Sequence, residues 1–346
     1  MNRLELPRPD DWHLHLRDGA ALADLVPHTA RQFGRAIVMP NLRPPITSVA
    51  MALAYRERIL AAVPEGAVFE PLMTLYLTPA TTVADIEAAA ASPNVYGVKL
   101  YPAGATTNAD SGVHELDDVV LAAMAAHGVP LLVHGERIDP KVDVFDREAV
   151  FVRETLSPVV DRHPALRIVL EHVSTAEAVD WVRSAPTTVA ATITAHHLLY
   201  DRNAMFEGGV RPHMYCLPVL KRAKHREALV AAATSGDPKF FLGTDSAPHE
   251  RTTKETSCGC AGVFTAHAAI ELYAEAFDRA GAIERLGDFA SRFGPRFYGL
   301  PVARETIVLE REAWSVPESY PLAGGKLVPL RAGETVAWRL RATHGA

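Results

Sequence analysis

Two histidines one residue apart, His13-Leu14-His15, close an apolar stretch near the start of a 346-residue chain. Alternate residues of a β-strand face the same side, so the two imidazoles would project together. A pair of adjacent imidazoles is a natural set of zinc ligands; the plainer alternative is two buried, hydrogen-bonded histidines. Asp11 and Arg17 flank the pair in the same short segment and favour the ligand reading. Lys99 lies inside the apolar run Gly97-Val98-Lys99-Leu100-Tyr101-Pro102. A charged lysine is costly to bury, and burial lowers its pKa until a neutral amine is available. Such an amine combines with carbon dioxide to give a carbamate, whose two oxygens can bridge two cations. The alternative for Lys99 is a buried carboxylate partner. His134 closes the run Leu131-Leu132-Val133, and His172 closes Val169-Leu170-Glu171. Either one alone reads as structural, but in consecutive units after a His-x-His pair they read as metal ligands. Asp245, in Gly243-Thr244-Asp245-Ser246-Ala247-Pro248-His249, is a carboxylate able to touch a metal and to carry a proton. Otherwise it would cap a following helix.

These residues need a scaffold that brings them together. Short β-like runs recur at Trp12–Leu16, Arg35–Met39, Glu70–Leu77, Tyr96–Leu100, Pro130–His134, Arg167–His172, Thr187–Thr194 and Lys239–Thr244. Helix-like stretches lie between them, among them Ser48–Ala62, Ala80–Ala91, Leu116–His127, Asp146–Arg162 and Thr175–Ser184. Eight strands alternating with helices predict an α/β fold of the TIM (β/α)8 barrel type. In such a barrel the C-terminal strand ends form the active-site face. His13, His15, Lys99, His134, His172 and Asp245 all fall at such ends, on strands one, four, five, six and eight. The rest of the chain reads as helices at Ala261–Phe277 and Ala282–Arg292, then short extended segments at Thr306–Glu310, Lys326–Pro329 and Thr335–Arg339. The expectation is a single domain over 1–346, with a barrel from about 8 to 275 and an appendage from about 276 to 346.

Composition narrows the function classes. The charge is −6, from 35 basic and 41 acidic residues, and no basic block stands out, so a nucleic-acid surface is not expected. An anionic substrate would therefore be met by a local cation. Three cysteines, Cys216, Cys258 and Cys260, argue against a disulfide framework. There is no apolar run long enough to span a membrane and no apolar signal core at Met1–Asp11, so a cytoplasmic location is expected.

The set of motifs resembles the amidohydrolase superfamily. Within it, Asp11-Trp12-His13-Leu14-His15-Leu16-Arg17-Asp18-Gly19, Met39-Pro40-Asn41, Gly97-Val98-Lys99-Leu100-Tyr101-Pro102 and Gly243-Thr244-Asp245-Ser246-Ala247-Pro248-His249 resemble the dihydroorotases of the short bacterial type (class II). Hydantoinases and longer dihydroorotases carry a β-rich segment before this motif, so a first ligand position at residue 13 favours the short type as the expectation. The resemblance implies two zinc ions per subunit. His13, His15 and Asp245 would hold one and His134 and His172 the other, with Lys99 as a bridging N6-carboxylysine. It implies Asp245 as the proton carrier, and substrate contacts from His15, Arg17, Asn41, His134 and His249 and from the backbone of Leu217 and Ala261. Thr106 and Thr107 would reach the ligand from a lid loop, Pro102-Ala103-Gly104-Ala105-Thr106-Thr107-Asn108. The implied reaction is the reversible interconversion of N-carbamoyl-L-aspartate and L-dihydroorotate, the third step of pyrimidine synthesis, catalysed by a homodimer. The rivals are a hydantoin or dihydropyrimidine hydrolase, which would not require a cationic cluster at Arg17, Asn41 and His249, and an inactive barrel serving as a scaffold. Cys258-Gly259-Cys260 is set aside as a metal site for want of partners. His196-His197 ends a strand-like run and is expected to line the pocket, but not as a ligand pair. His28, His114, His127, His163, His213, His225, His267 and His344 read as surface or structural.

Overall fold

The computed structural model describes residues 1–257 and 259–341, so Cys258 and His344 lie outside the described residues. Eight strands form one parallel sheet in chain order: Asp10–Leu14, Arg35–Val38, Glu70–Tyr76, Val95–Leu100, Leu131–Val133, Ile168–Leu170, Val189–Ile193 and Phe240–Leu242. Each overlaps the run predicted for it. The first and eighth meet at a bridge between Leu14 and Ser246. There the Asp245 amide donates to the His13 carbonyl (2.9 Å) and the His15 amide to that of Ser246 (3.2 Å). The buried Asp11 carboxylate stitches the same seam, accepting from the Thr244 amide (2.9 Å), the Thr244 hydroxyl (2.6 Å) and the His13 amide (3.1 Å). The sheet thus closes into a TIM barrel.

The helices start where side chains satisfy their free amides. Ser48 caps Val49–Leu60, Thr82 and Asp85 form a capping box on Val83–Ala91, Asp117 caps Asp118–His127, and Thr175 caps Ala176–Ser184. The segment expected as one helix at Asp146–Arg162 is helical throughout, with a wider π turn at Val152–Leu156. Pro158 follows that turn and has no amide to donate, so the regular ladder is interrupted there.

Two expectations change. The helix predicted over Ala261–Phe277 begins only at Ala269 and runs to Arg279. Residues 261–268 are pulled to the barrel mouth instead: Val263 bridges Ser246, and the Ser246 hydroxyl accepts from the amides of Thr265 (3.1 Å) and Ala266 (3.0 Å). The N-terminal segment also forms a strand that the sequence reading did not include. Arg3–Pro7 pairs antiparallel with Thr306–Glu310, which pairs in turn with Arg339–Leu340. The two ends of the chain thus share one small sheet outside the barrel.

Candidate active site

The barrel's first strand breaks its own alternation. A register shift between Asp11 and Leu14 lets Trp12 pack in the barrel interior while His13 and His15 line the mouth. Irregularities of this kind re-aim side chains. Room for His13 comes from Gly243 on the eighth strand, where a Cβ would lie 2.7 Å from Thr192 and 3.1 Å from the His13 Cβ.

One small cavity is lined by His13, His15, Arg17, Asn41, Thr106, Thr107, His134, His172, Leu217, Asp245 and Ala261, together with Tyr101, Ala247 and Gly262. Four imidazoles run in a row across its floor, with ring centres 5.3 Å apart for His15 and His13, 5.0 Å for His13 and His172, and 4.8 Å for His172 and His134. Asp245 Oδ1 sits 3.3 Å from His13 Nε2 and 3.1 Å from His15 Nε2. Lys99, 0% exposed, lies beneath the cavity, and its charge is felt by both His13 and His172.

Three of the imidazoles are held by a fixed partner on one nitrogen, which leaves the other toward the cluster. His13 Nδ1 donates to Glu171 Oε2 (2.8 Å), itself held by the Thr192 hydroxyl (2.7 Å). His134 Nε2 donates to Glu136 Oε2 (2.8 Å), and His15 Nδ1 donates to Asn41 Oδ1 (2.9 Å). Carboxylates and carbonyls placed in this way fix the tautomer of metal-binding histidines. Glu136 and Glu171 were not singled out from sequence. Glu136 follows His134 by two residues and Glu171 precedes His172, so a buried acid beside each ligand candidate was the available signal.

The electrostatics favour added positive charge. Burial drives Asp245 upward, but His13 and His15 outweigh it and hold the carboxyl well below its usual range. Burial pulls Lys99 down to about 8 and His15 down to about 4, and holds His172 well below the usual histidine value. Burial and Lys99 pull His13 down, but Glu171 and Asp245 outweigh them and raise it, so the floor is an ionised carboxylate beside two neutral imidazoles, His15 and His172. Lys99 Nζ and His172 Nδ1 are buried without a hydrogen-bond partner, which is costly unless another group takes them up. His13, His15 and Asp245 present ligand atoms within 4.8 Å of one another. This donor set fits a divalent transition metal.

The upper wall is built differently. The Arg17 guanidinium donates through Nε to the Pro248 carbonyl (2.9 Å), and its Nη2 lies 2.9 Å from His249 Nε2. His249 lies against Arg17 without lining the cavity itself, and its Nε2 is also 2.9 Å from the Ala261 carbonyl. That nitrogen can accept from Arg17 or donate to Ala261, but not both. Burial and the neighbouring Arg17 charge depress His249 to about 2, so it stays neutral and leaves the Arg17 charge uncompensated. The loop after Lys99 folds over the top, where the Asn41 amide donates to the Thr107 carbonyl (3.0 Å) and Asn108 donates back to the Asn41 carbonyl (2.9 Å). His196 and His197 do not line the cavity; they are buried near Cys216.

Comparison with known proteins agrees with this geometry. The model of the amidohydrolase family matches residues 11–304. The dihydroorotase of Methylobacillus flagellatus is 63% identical over 340 residues, covering 98% of this chain and 99% of that protein. The crystal structure of dihydroorotase from Campylobacter jejuni superposes with a TM-score of 0.90 at 36% identity, covering 98% of both chains. Dihydroorotase from Saccharomyces cerevisiae in complex with 5-fluoroorotic acid superposes with a TM-score of 0.91 at 31% identity, covering 99% of both. The chain belongs to the amidohydrolase family and, within it, to the dihydroorotases.

Proposed function

We propose that the chain opens the ring amide of L-dihydroorotate to N-carbamoyl-L-aspartate and closes it in reverse, as a step of pyrimidine synthesis. His13, His15 and Asp245 would hold one metal ion, and His134 and His172 a second. Lys99 would lie between them as the Nζ carbamate, formed when the neutral amine adds carbon dioxide and loses a proton. The bound ions, zinc by expectation and about two per chain, supply the Lewis acidity that lowers the pKa of water and polarises the amide carbonyl.

The remaining work falls to the protein. Water adds across the carbon–nitrogen bond, its oxygen joining the carbonyl carbon and a proton joining the ring nitrogen. Asp245, held ionised, would take the proton from the attacking water and deliver it to that nitrogen as the bond breaks. Glu171, Glu136 and Asn41 keep the ligand rings in one tautomer and orientation. The loop bearing Thr106 and Thr107 would close over bound substrate and exclude water.

The observation that carries the substrate assignment is Arg17. It is a cation in the cavity wall whose hydrogen bonds go to a carbonyl and a neutral imidazole. A planar carboxylate matches its fork. Arrival of that carboxylate would also free His249 to donate from Nε2. Dihydrouracil and hydantoin, the rival substrates, have no carboxylate to offer. Replacement Arg17→Gln is expected to raise KM for dihydroorotate roughly 10- to 100-fold, the worth of a charge-assisted hydrogen bond. An unchanged KM would remove Arg17 from the substrate contacts.

A further inference from the structure

Next to the cavity, but separate from it, lies a second group of metal-type side chains. His196 and His197 stand on the short helix Ala195–Leu199, and Cys216 precedes the cavity residue Leu217. All three are buried, and each offers a ligand atom within 4.8 Å of the other two. We propose that His196, His197 and Cys216 form an additional site for one thiolate-preferring divalent transition-metal ion, of the zinc class.

His196 carries most of the case. It is 0% exposed and neither of its ring nitrogens has a hydrogen-bond partner. An imidazole buried in this way forfeits two hydrogen bonds that water would give it. Its ring centre is 4.7 Å from that of His197, and one of its nitrogens lies within 4.8 Å of the ligand atoms of His197 and Cys216. Burial lowers the His196 pKa to about 4, which keeps the ring in the neutral, ligating form.

The protons of the other two ligands are already arranged for exchange. His197 Nε2 and Cys216 Sγ both point at the Pro218 carbonyl, at 3.1 and 3.3 Å. On the far side of the His197 ring, Nδ1 is 2.7 Å from the Thr194 hydroxyl. If the ring proton moves to Nδ1, it is donated to Thr194 Oγ1 and Nε2 is left with a free lone pair for the ion. The threonine then orients the ligand as a second-sphere partner does. Burial raises the Cys216 thiol to about 12, so the thiolate forms only when a cation replaces its proton, which leaves to solvent. One ion therefore displaces one proton and takes up one of the two unpaired nitrogens of His196. A sulfur with two imidazoles selects zinc-like ions over magnesium or calcium. The ion would tie the helix Ala195–Leu199 to the segment that carries Leu217 into the substrate cavity.

The test uses full-length protein made in cobalt-supplemented medium, so that the ion is present as the chain folds. Cobalt bound to a thiolate gives an intense near-ultraviolet charge-transfer band that nitrogen and oxygen ligands do not give. The proposed catalytic ligands contain no sulfur, so the band reports a thiol site alone. The wild type is expected to show the band, and Cys216→Ser to lose it together with about one bound cobalt per chain. His196→Gln is expected to weaken it several-fold, and a variant carrying both Cys258→Ala and Cys260→Ala to keep it. A folded, cobalt-loaded wild type without the band overturns the site, as does a band that survives Cys216→Ser. Should Cys216→Ser not fold, His196→Gln decides, and an unchanged band there overturns the site equally.

Discussion

The two ends of the barrel use the same eight strands for opposite purposes. At the N-terminal end the interior is an apolar cluster that includes Trp12, Ile37, Leu72, Leu132, Val169, Ala190 and Phe241, against which Tyr298 stacks on Trp12 with ring centres 4.5 Å apart. The helix Phe293–Tyr298 closes this end, and Gly294 is the only residue type that leaves space for the Trp12 indole. At the other end of the same strands, or just beyond it, stand His13, Lys99, His134, His172 and Asp245, with buried atoms such as Lys99 Nζ left without partners. The packed end also leaves Trp12 Nε1 and the Tyr298 hydroxyl without a partner, but these are neutral groups in an otherwise apolar cluster, whereas the other end buries ionisable ones. Strain and unpaired polar groups concentrate where function requires them.

Substitutions at the two ends should therefore separate activity from stability. Lys99→Ala is expected to lower kcat/KM for dihydroorotate by at least about 10³-fold and to reduce bound metal, with the thermal midpoint little changed. Trp12→Ala should do the reverse, costing about 3–5 kcal/mol of stability while the protein that remains folded keeps its kcat. Equal losses in both properties from either variant would dissolve the distinction between the ends. A finer test is Glu171→Gln, which keeps the shape but weakens the acceptor behind His13. It should lower metal affinity or activity by about 10- to 100-fold, read by competition with a chelator.

The smallest effect concerns a buried acid outside the metal cluster. Burial raises Glu148 to about 7, against the pull of Lys221 and of hydrogen bonds from Thr175 and Ser174. A carboxyl whose folded pKa lies above its unfolded value stabilises the fold while protonated, and that contribution fades as pH rises from about 4.5 through 7. Thermal midpoints of wild type and Glu148→Gln should accordingly draw apart by a few degrees between acid and mildly alkaline pH, the wild type losing ground. Parallel pH profiles would show that Glu148 stays ionised.

What the sequence disclosed follows a physical pattern. The eight strands were legible because each is a short apolar run between helical stretches. The ligand candidates were legible because His, Lys and Asp at the ends of such runs are expensive to place there without a purpose. The groups behind them were harder to see. Glu171 acts on His13, 158 positions away in the chain, and no local spacing encodes that contact. The strand Arg3–Pro7 finds its partner at Thr306–Glu310, equally remote. Residues 261–268 have helical composition, but two amides there are claimed by the Ser246 hydroxyl. Cys216 gave no signal of its own, because its neighbours His196 and His197 come together with it only in the folded chain.

The central claim is that this metal-type cavity reads a substrate carboxylate through Arg17. Initial rates of ring opening for L-dihydroorotate, dihydrouracil and hydantoin, on one protein sample of known metal content, test it most directly. The account predicts about two zinc ions per chain in this cavity, beyond any ion held by His196, His197 and Cys216, and a kcat/KM for L-dihydroorotate at least about 10²-fold above the other two. A preference for dihydrouracil or hydantoin, or a metal-loaded sample inert toward all three, would contradict it.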